Sequence, residues 1–269
     1  MQKKAVRNFT LLSILFAFTV ISWSNINQNF TTANQSIKST FINEKTNSAS
    51  TDQQFESYIK QVYVTLNTKN TDLNYDVFKT AVIGYLNLKS ANLLSNKQLL
   101  TIVDLNKSSS QKRLWIIDLA SQKLLYHTLV AHGQGSGGDM ADKFSNLENS
   151  HQSSLGFYVT SDTYFGKHGL SMKLDGMDKG FNSNAKGRSV VLHGAEYVSQ
   201  EFINQHGRLG RSHGCPALPL EITSQIIKKV KDKTCLFIAG PQKDYISQYN
   251  NKEVAMINFL AANVNAAVL

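Results

Sequence analysis

No feature of this chain restricts its fold more than the change in apolar spacing near residue 97. Before it, Phe55, Tyr58, Ile59, Val62, Tyr63 and Leu66 recur at helical intervals behind Ser50, Thr51 and Asp52 as candidate caps, and Phe78, Ala81, Val82, Tyr85 and Leu86 repeat the pattern. After it come short runs of β-formers: 99–105, 113–119, 123–132, 155–160, 170–174, 189–193 and 234–239. Ala120-Ser121-Gln122 joins two of them as a hairpin. Helical spacing returns at Ile222, Ile226, Ile227 and Val230, then in a tail from Lys243. The pattern predicts a mainly β core with α-helices before and after it. Long polar stretches, 133–154 and 176–188, interrupt the strands, and loops of such length in a compact domain are functional or mobile.

The two ends carry different signals. Lys3, Lys4 and Arg7 precede an uncharged apolar run from Phe9 to Trp23, and Ser22-Trp23-Ser24 offers small residues for cleavage, so residues 1–24 read as a secretory signal peptide. The run is shorter than the roughly 20 apolar residues of a membrane span. If it stays uncleaved it is an anchor, which is the one route to a membrane partner. Export to the periplasm or cell envelope is therefore expected. Residues 25–50, rich in Asn, Gln, Ser and Thr, read as a polar linker. The domain reading is then a helical segment at 51–97, a catalytic core at 98–242 and a helical tail at 243–269. The formal charge of +9 falls to +6 without residues 1–24, and the basic residues form no run or stripe. Nucleic acid is not expected as a partner.

Chemistry concentrates in Arg211-Ser212-His213-Gly214-Cys215-Pro216. An exported chain with two cysteines either pairs them or keeps a free thiol for a purpose. Cys235 lies in an apolar run, the setting of an inert buried thiol, whereas Cys215 is surrounded by polar residues and glycine. A cysteine nucleophile needs an imidazole to take its proton. His193, His206 and His213 are the nearest in sequence. His193 ends the strand-like Ser189–His193 run ahead of Gly194, while His213 would face away from Cys215 if the segment were extended. Gly214 permits converging N–H donors for an oxyanion hole beside the thiol. A zinc site from His193, His206, His213 and Cys215 is the competing use of these residues, though the His-x-Cys spacing suits it poorly.

These residues also carry a resemblance. His193-Gly194 followed by Ser212-His213-Gly214-Cys215 resembles the signature of the L,D-transpeptidases that cross-link bacterial peptidoglycan. The wider match is to the murein L,D-transpeptidase branch, through Val130–Gly133, Gly135–Gly138, Ser153–Gly156, Thr163–Gly169, Gly180–Asn182 and Val191–Ala195. The resemblance implies a β-sandwich-like catalytic domain and a thioester acyl-enzyme on Cys215, with no metal and no organic cofactor. It assigns His193 as base, the Gly194 carbonyl as its orienting group, Gly214 and Cys215 N–H with His213 as oxyanion support, and Ser212 as a buttress. Its substrates would be peptidoglycan stem peptides, cleaved between a diamino acid and terminal D-alanine and joined to the amine of another stem. Pro216-Ala217-Leu218 departs from the usual apolar residue followed by Arg or Asn, so Arg211 is the candidate replacement charge. Tyr164, Lys167 and His168 are further candidates for contacting substrate. A carboxypeptidase or wall-peptide hydrolase would use the same acyl-enzyme, and a non-catalytic wall-binding module would use the fold alone.

Overall fold

A computed structural model of the chain describes residues 51–66 and 71–267, of which 261–267 are described by backbone only. The expected signal peptide and polar linker fall outside them. Among the described residues no helix is long and apolar enough to cross a membrane. The described residues from 55 onward belong to one compact unit.

Helix α1 covers residues 51–66 and α2 Tyr75–Ser90. Asn74 starts α2 by accepting the N–H groups of Asp76 and Val77, which closes two of the free donors of its first turn. Eight strands follow: β1 Leu99–Asp104, β2 Leu114–Asp118, β3 Lys123–Thr128, β4 Gly156–Gly166, β5 Gly169–Gly176, β6 Val191–Ala195, β7 Ala217–Pro219 and β8 Cys235–Ala239. Among them lie α3 (Gln200–His206) and α4 (Leu220–Val230), and α5 (Lys252–Ala267) closes the order.

The expected mainly β core with flanking helices is what forms, as one eight-stranded sheet ordered β3-β2-β1-β8-β4-β5-β6-β7. Ala131 and Ala217 exchange two hydrogen bonds, so the chain leaving β3 reaches β7 and the sheet curls almost into a barrel. Its central strands alternate between two cores. Ile102, Trp115, Phe157 and Phe237 face the cluster shared with α1, α2 and α5, while Val103, Ile116, Tyr158 and Leu236 face the interior shared with α4. Strands buried on both faces read as continuous apolar runs, which is why β1 and β8 are plain in the sequence. Cys235 belongs to the helix-side cluster and is fully buried, and both cysteines are free thiols.

The tail differs from expectation at its start. Helix α5 begins at Lys252 rather than near Lys243. The preceding loop is tied down by polar contacts: Tyr245 and Ser247 donate to the Asp178 carboxylate at 2.8 and 2.6 Å, and Asn87 of α2 donates to the carbonyls of Tyr249 and Asn251 at 2.7 and 2.9 Å. These bonds fix residues 245–251 in a non-helical path despite their apolar spacing.

Candidate active site

Cys215 lies just before β7, and its position follows from backbone pairing on both sides. Strands β6 and β7 are parallel, with His193 opposite Ala217. Cys215 therefore sits two residues back along β6, where the Val191 N–H donates to Sγ at 3.4 Å and the thiol donates to the Ser189 carbonyl at 3.7 Å. Val191 precedes His193 by two residues, about 7 Å of strand. The thiol thus lies at the start of β6 and the imidazole at its middle residue. No hydrogen bond joins them in this resting arrangement among the described residues.

The Ser212–Cys215 turn is held by its neighbours. Ser212 N–H donates to the His132 carbonyl, and Gln134 N–H donates back to the Ser212 carbonyl at 2.8 Å. The glycine at 133 is required by this contact, since a Cβ there would lie 2.4 Å from the His151 carbonyl and 2.8 Å from Gly214 Cα. Ser212 Oγ accepts from Gly214 N–H at 3.0 Å and donates to the Cys215 carbonyl at 2.6 Å. The expected oxyanion donor Gly214 is thus already engaged within the turn. The Cys215 N–H makes no hydrogen bond among the described residues.

His193 is 4% exposed, and its Nδ1 lies 2.9 Å from the Gly194 carbonyl. Donation to that carbonyl places the ring proton on Nδ1 and leaves Nε2 with a lone pair. Gly194 is glycine because a Cβ would meet Thr223 Oγ1 at 2.8 Å and Leu220 Cδ1 at 2.9 Å on α4. Burial pushes His193 below the usual imidazole value, with the nearby Lys167 and His168 charges acting in the same direction against the Gly194 carbonyl. Burial also pushes the Cys215 thiol up, opposed by the Val191 N–H and the charge of Arg188. Both shifts favour the uncharged forms of the two groups.

The other expected site residues divide. Lys167 and His168 form the tip of the β4–β5 hairpin, closed by Gly166 and Gly169, the latter at φ 70°. The His168 ring lies 4.5 Å from that of His193. Tyr164, on the same hairpin, lines an open groove of about 480 Å³ with Lys173, Lys186, Ser189, Val190 and Val191. His213 is exposed and stacked on His151, with ring centroids 4.2 Å apart at 5°. Arg211 turns away from the thiol and donates to the Gly137 carbonyl at 2.8 Å. His206 sits on α3 with its ring stacked on Phe202, so the imagined zinc quartet is not assembled. Among the described residues no group of three or more His, Cys, Asp or Glu could hold a metal ion.

Behind the turn is a buried pair that sequence reasoning passed over. Arg113 is fully buried, donates to the Val130 and Lys107 carbonyls, and donates through Nη2 to His132 Nδ1 at 2.8 Å. Burial and this guanidinium push His132 down to about 4. The unfolded chain binds a proton near pH 6.5 that the folded one refuses until about pH 4, so this contribution to stability is full above 6.5 and is lost as pH falls towards 4. The wild-type unfolding free energy, from urea titrations, should fall over that range by about 3 kcal/mol more than that of His132→Gln. Equal slopes in the two chains would contradict the assignment.

The model of the L,D-transpeptidase catalytic domain matches residues 69–239, which is more than half of the chain. The chain belongs to this family. Among solved structures, this L,D-transpeptidase domain is similar to the L,D-transpeptidase from Mycobacterium smegmatis at 12% identity and TM-score 0.34, covering 53% of this chain and 59% of that one. It is similar to the L,D-transpeptidase from Stackebrandtia nassauensis at 14% and 0.34, covering 56% and 60%. It is also similar to the helical cell shape determining protein Pgp2 from Campylobacter jejuni at 12% and 0.35, covering 67% and 63%. The chain spans under two thirds of each of those chains. No curated protein matches. Membership of the L,D-transpeptidase family rests on the family match alone.

Proposed function

We propose that the chain is an exported cysteine L,D-transpeptidase that acts on peptidoglycan stem peptides in the periplasm or cell envelope. The observation that carries the reading is a half-buried thiol held at the start of β6, the strand that presents His193 with its Nδ1 committed to Gly194. In acylation the thiol turns from the Ser189 carbonyl and gives its proton to His193 Nε2. Sulfur then attacks the carbonyl carbon of the third stem residue. The Cys215 N–H, with His213 beside it, donates to the developing oxyanion, and Ser212 keeps the turn closed. Collapse breaks the bond to D-alanine, which leaves with the proton from His193. The amine of a second stem gives a proton to His193 and attacks the thioester, and the thiol is restored. Tyr164, Lys167, His168 and Arg211 are assigned to the substrate side, the hairpin residues directly and Arg211 through the Gly137 loop. The motif set, the family and the apolar leader at 1–24 support this reading over a wall-binding module, for which an activated thiol has no use.

The experiment is incubation of the chain with purified tetrapeptide muropeptides and mass analysis of the products. Dimers with loss of D-alanine are expected; trimmed monomers without dimers would make it a carboxypeptidase, and unchanged substrate would overturn the reading. A pH profile gives a second check. The acid limb of kcat/KM should lie below pH 6.5, since His193 must be neutral and is pushed down from that value. Lys167→Ala removes a charge that lowers His193, so it should move the limb to higher pH; an unmoved limb would detach the hairpin from the base.

A further inference from the structure

Arg188, at the end of the 176–188 loop, packs against the turn that carries Cys215. All four Nη hydrogens of Arg188 are directed to neutral acceptors: Nη1 to the Ser145 carbonyl at 2.7 Å and to Ser154 Oγ, and Nη2 to the Gln152 carbonyl at 2.7 Å and Ser150 Oγ at 3.2 Å. None of these is a carboxylate, so hydrogen bonding fixes the guanidinium without neutralising it. The same group packs on the residue before the nucleophile: a Cβ on Gly214 would stand 3.3 Å from Arg188 Nη2 and 2.7 Å from the Gln152 carbonyl that Nη2 holds. Arg188 is also joined directly to Ser189, whose carbonyl receives the thiol. Arg211, the cation nearest to the motif in sequence, is spent on Gly137.

We propose that Arg188 is the fixed positive charge that stabilises the Cys215 thiolate and sets the Gly214–Cys215 peptide, as a positioning residue rather than a substrate ligand. The proposal rests on Cys215 being the nucleophile. A cation beside a half-buried thiol favours its charged form, and its charge acts again when the thioester collapses and the thiolate leaves. The electrostatic influence is mutual, since the thiolate raises the pKa of Arg188 as Arg188 lowers that of the thiol.

The test is the pH dependence of Cys215 alkylation by iodoacetamide in the folded full chain, read by peptide mass spectrometry. Buried Cys235 should stay unmodified and so reports folding. Arg188→Gln should raise the midpoint by about one pH unit, a roughly tenfold slower reaction at pH 7, while Arg188→Lys stays near wild type. An unchanged midpoint in Arg188→Gln, or equal rises in both variants, would overturn the proposal, the second by showing that the bonds matter and the charge does not. A further reading needs no variant. The fixed cation should make anionic iodoacetate faster relative to neutral iodoacetamide at Cys215 than at free cysteine, and an equal ratio would overturn the proposal. Alkylation reads the thiol and not turnover. A Cys215→Ala chain that still released D-alanine would therefore remove the transpeptidase reading and leave this result standing.

Discussion

Cys215→Ala should lose D-alanine release and cross-linking by at least about three orders of magnitude, with the fold unchanged. The thiol is half-buried and its two hydrogen bonds are long ones, to Val191 N–H and the Ser189 carbonyl, so their loss costs little stability. The chemistry has no substitute, because Cys235 is fully buried in the helix-side cluster. His193→Ala should cost about 10² to 10⁴, the usual range for a positioned base. The two act as one unit, so the double variant should be no worse than Cys215→Ala alone. Initial rates of D-alanine release check this, and a double variant that multiplies the two losses would separate the residues into independent roles.

Gly214→Ala should also have a large effect, through geometry instead of chemistry. Gly214 adopts φ 117°, a conformation in which a side chain is strained, and a Cβ would come within 2.7 Å of the Gln152 carbonyl. The strain can relax only by moving the Gly214–Cys215 peptide, which carries the open N–H at the site. A displacement near 1 Å in such a group costs about a hundredfold in rate. Turnover should therefore fall by about that factor while stability falls by about 1–3 kcal/mol. Measured kcat together with a thermal melt distinguishes this from general unfolding, and an alanine chain with wild-type kcat would contradict it.

Legibility of the fold followed burial. Strands β1, β2 and β8 are packed on both faces and announce themselves as apolar runs. Strand β7 does not, because it is three residues long, contains Pro219 and lies at the end of the sheet, where proline is tolerated. The outer half of β4, residues 161–166, leaves the core and exposes even Tyr164 and Phe165, so sequence periodicity ends the strand at Thr160 although the hairpin runs on to Gly166. Helix α3 is short and buries no residue, leaving no stripe to read.

The site was partly legible for a similar reason. Cys215, His193 and Gly194 stand in a recognisable order, and the pairing of β6 with β7 brings them to one end of the sheet. The use of Gly214 N–H by Ser212 was hidden, because two donors of adjacent residues look alike until the turn is folded. Arg188 was hidden as well: a lone arginine at the end of a polar Gly- and Lys-containing loop has no period or motif, and its four acceptors come from residues 145–154. His151, stacked on His213, reaches the site at φ 54° from the same long loop.

During turnover Cys215 should carry the stem peptide as a thioester. The most direct test is intact-protein mass spectrometry of the chain quenched in acid during turnover of a tetrapeptide donor without acceptor, followed by peptide mapping. A mass increase equal to the donor less alanine is expected, located on the peptide containing Cys215 and labile to hydroxylamine. Turnover without that adduct, or an adduct on any other residue, would contradict it.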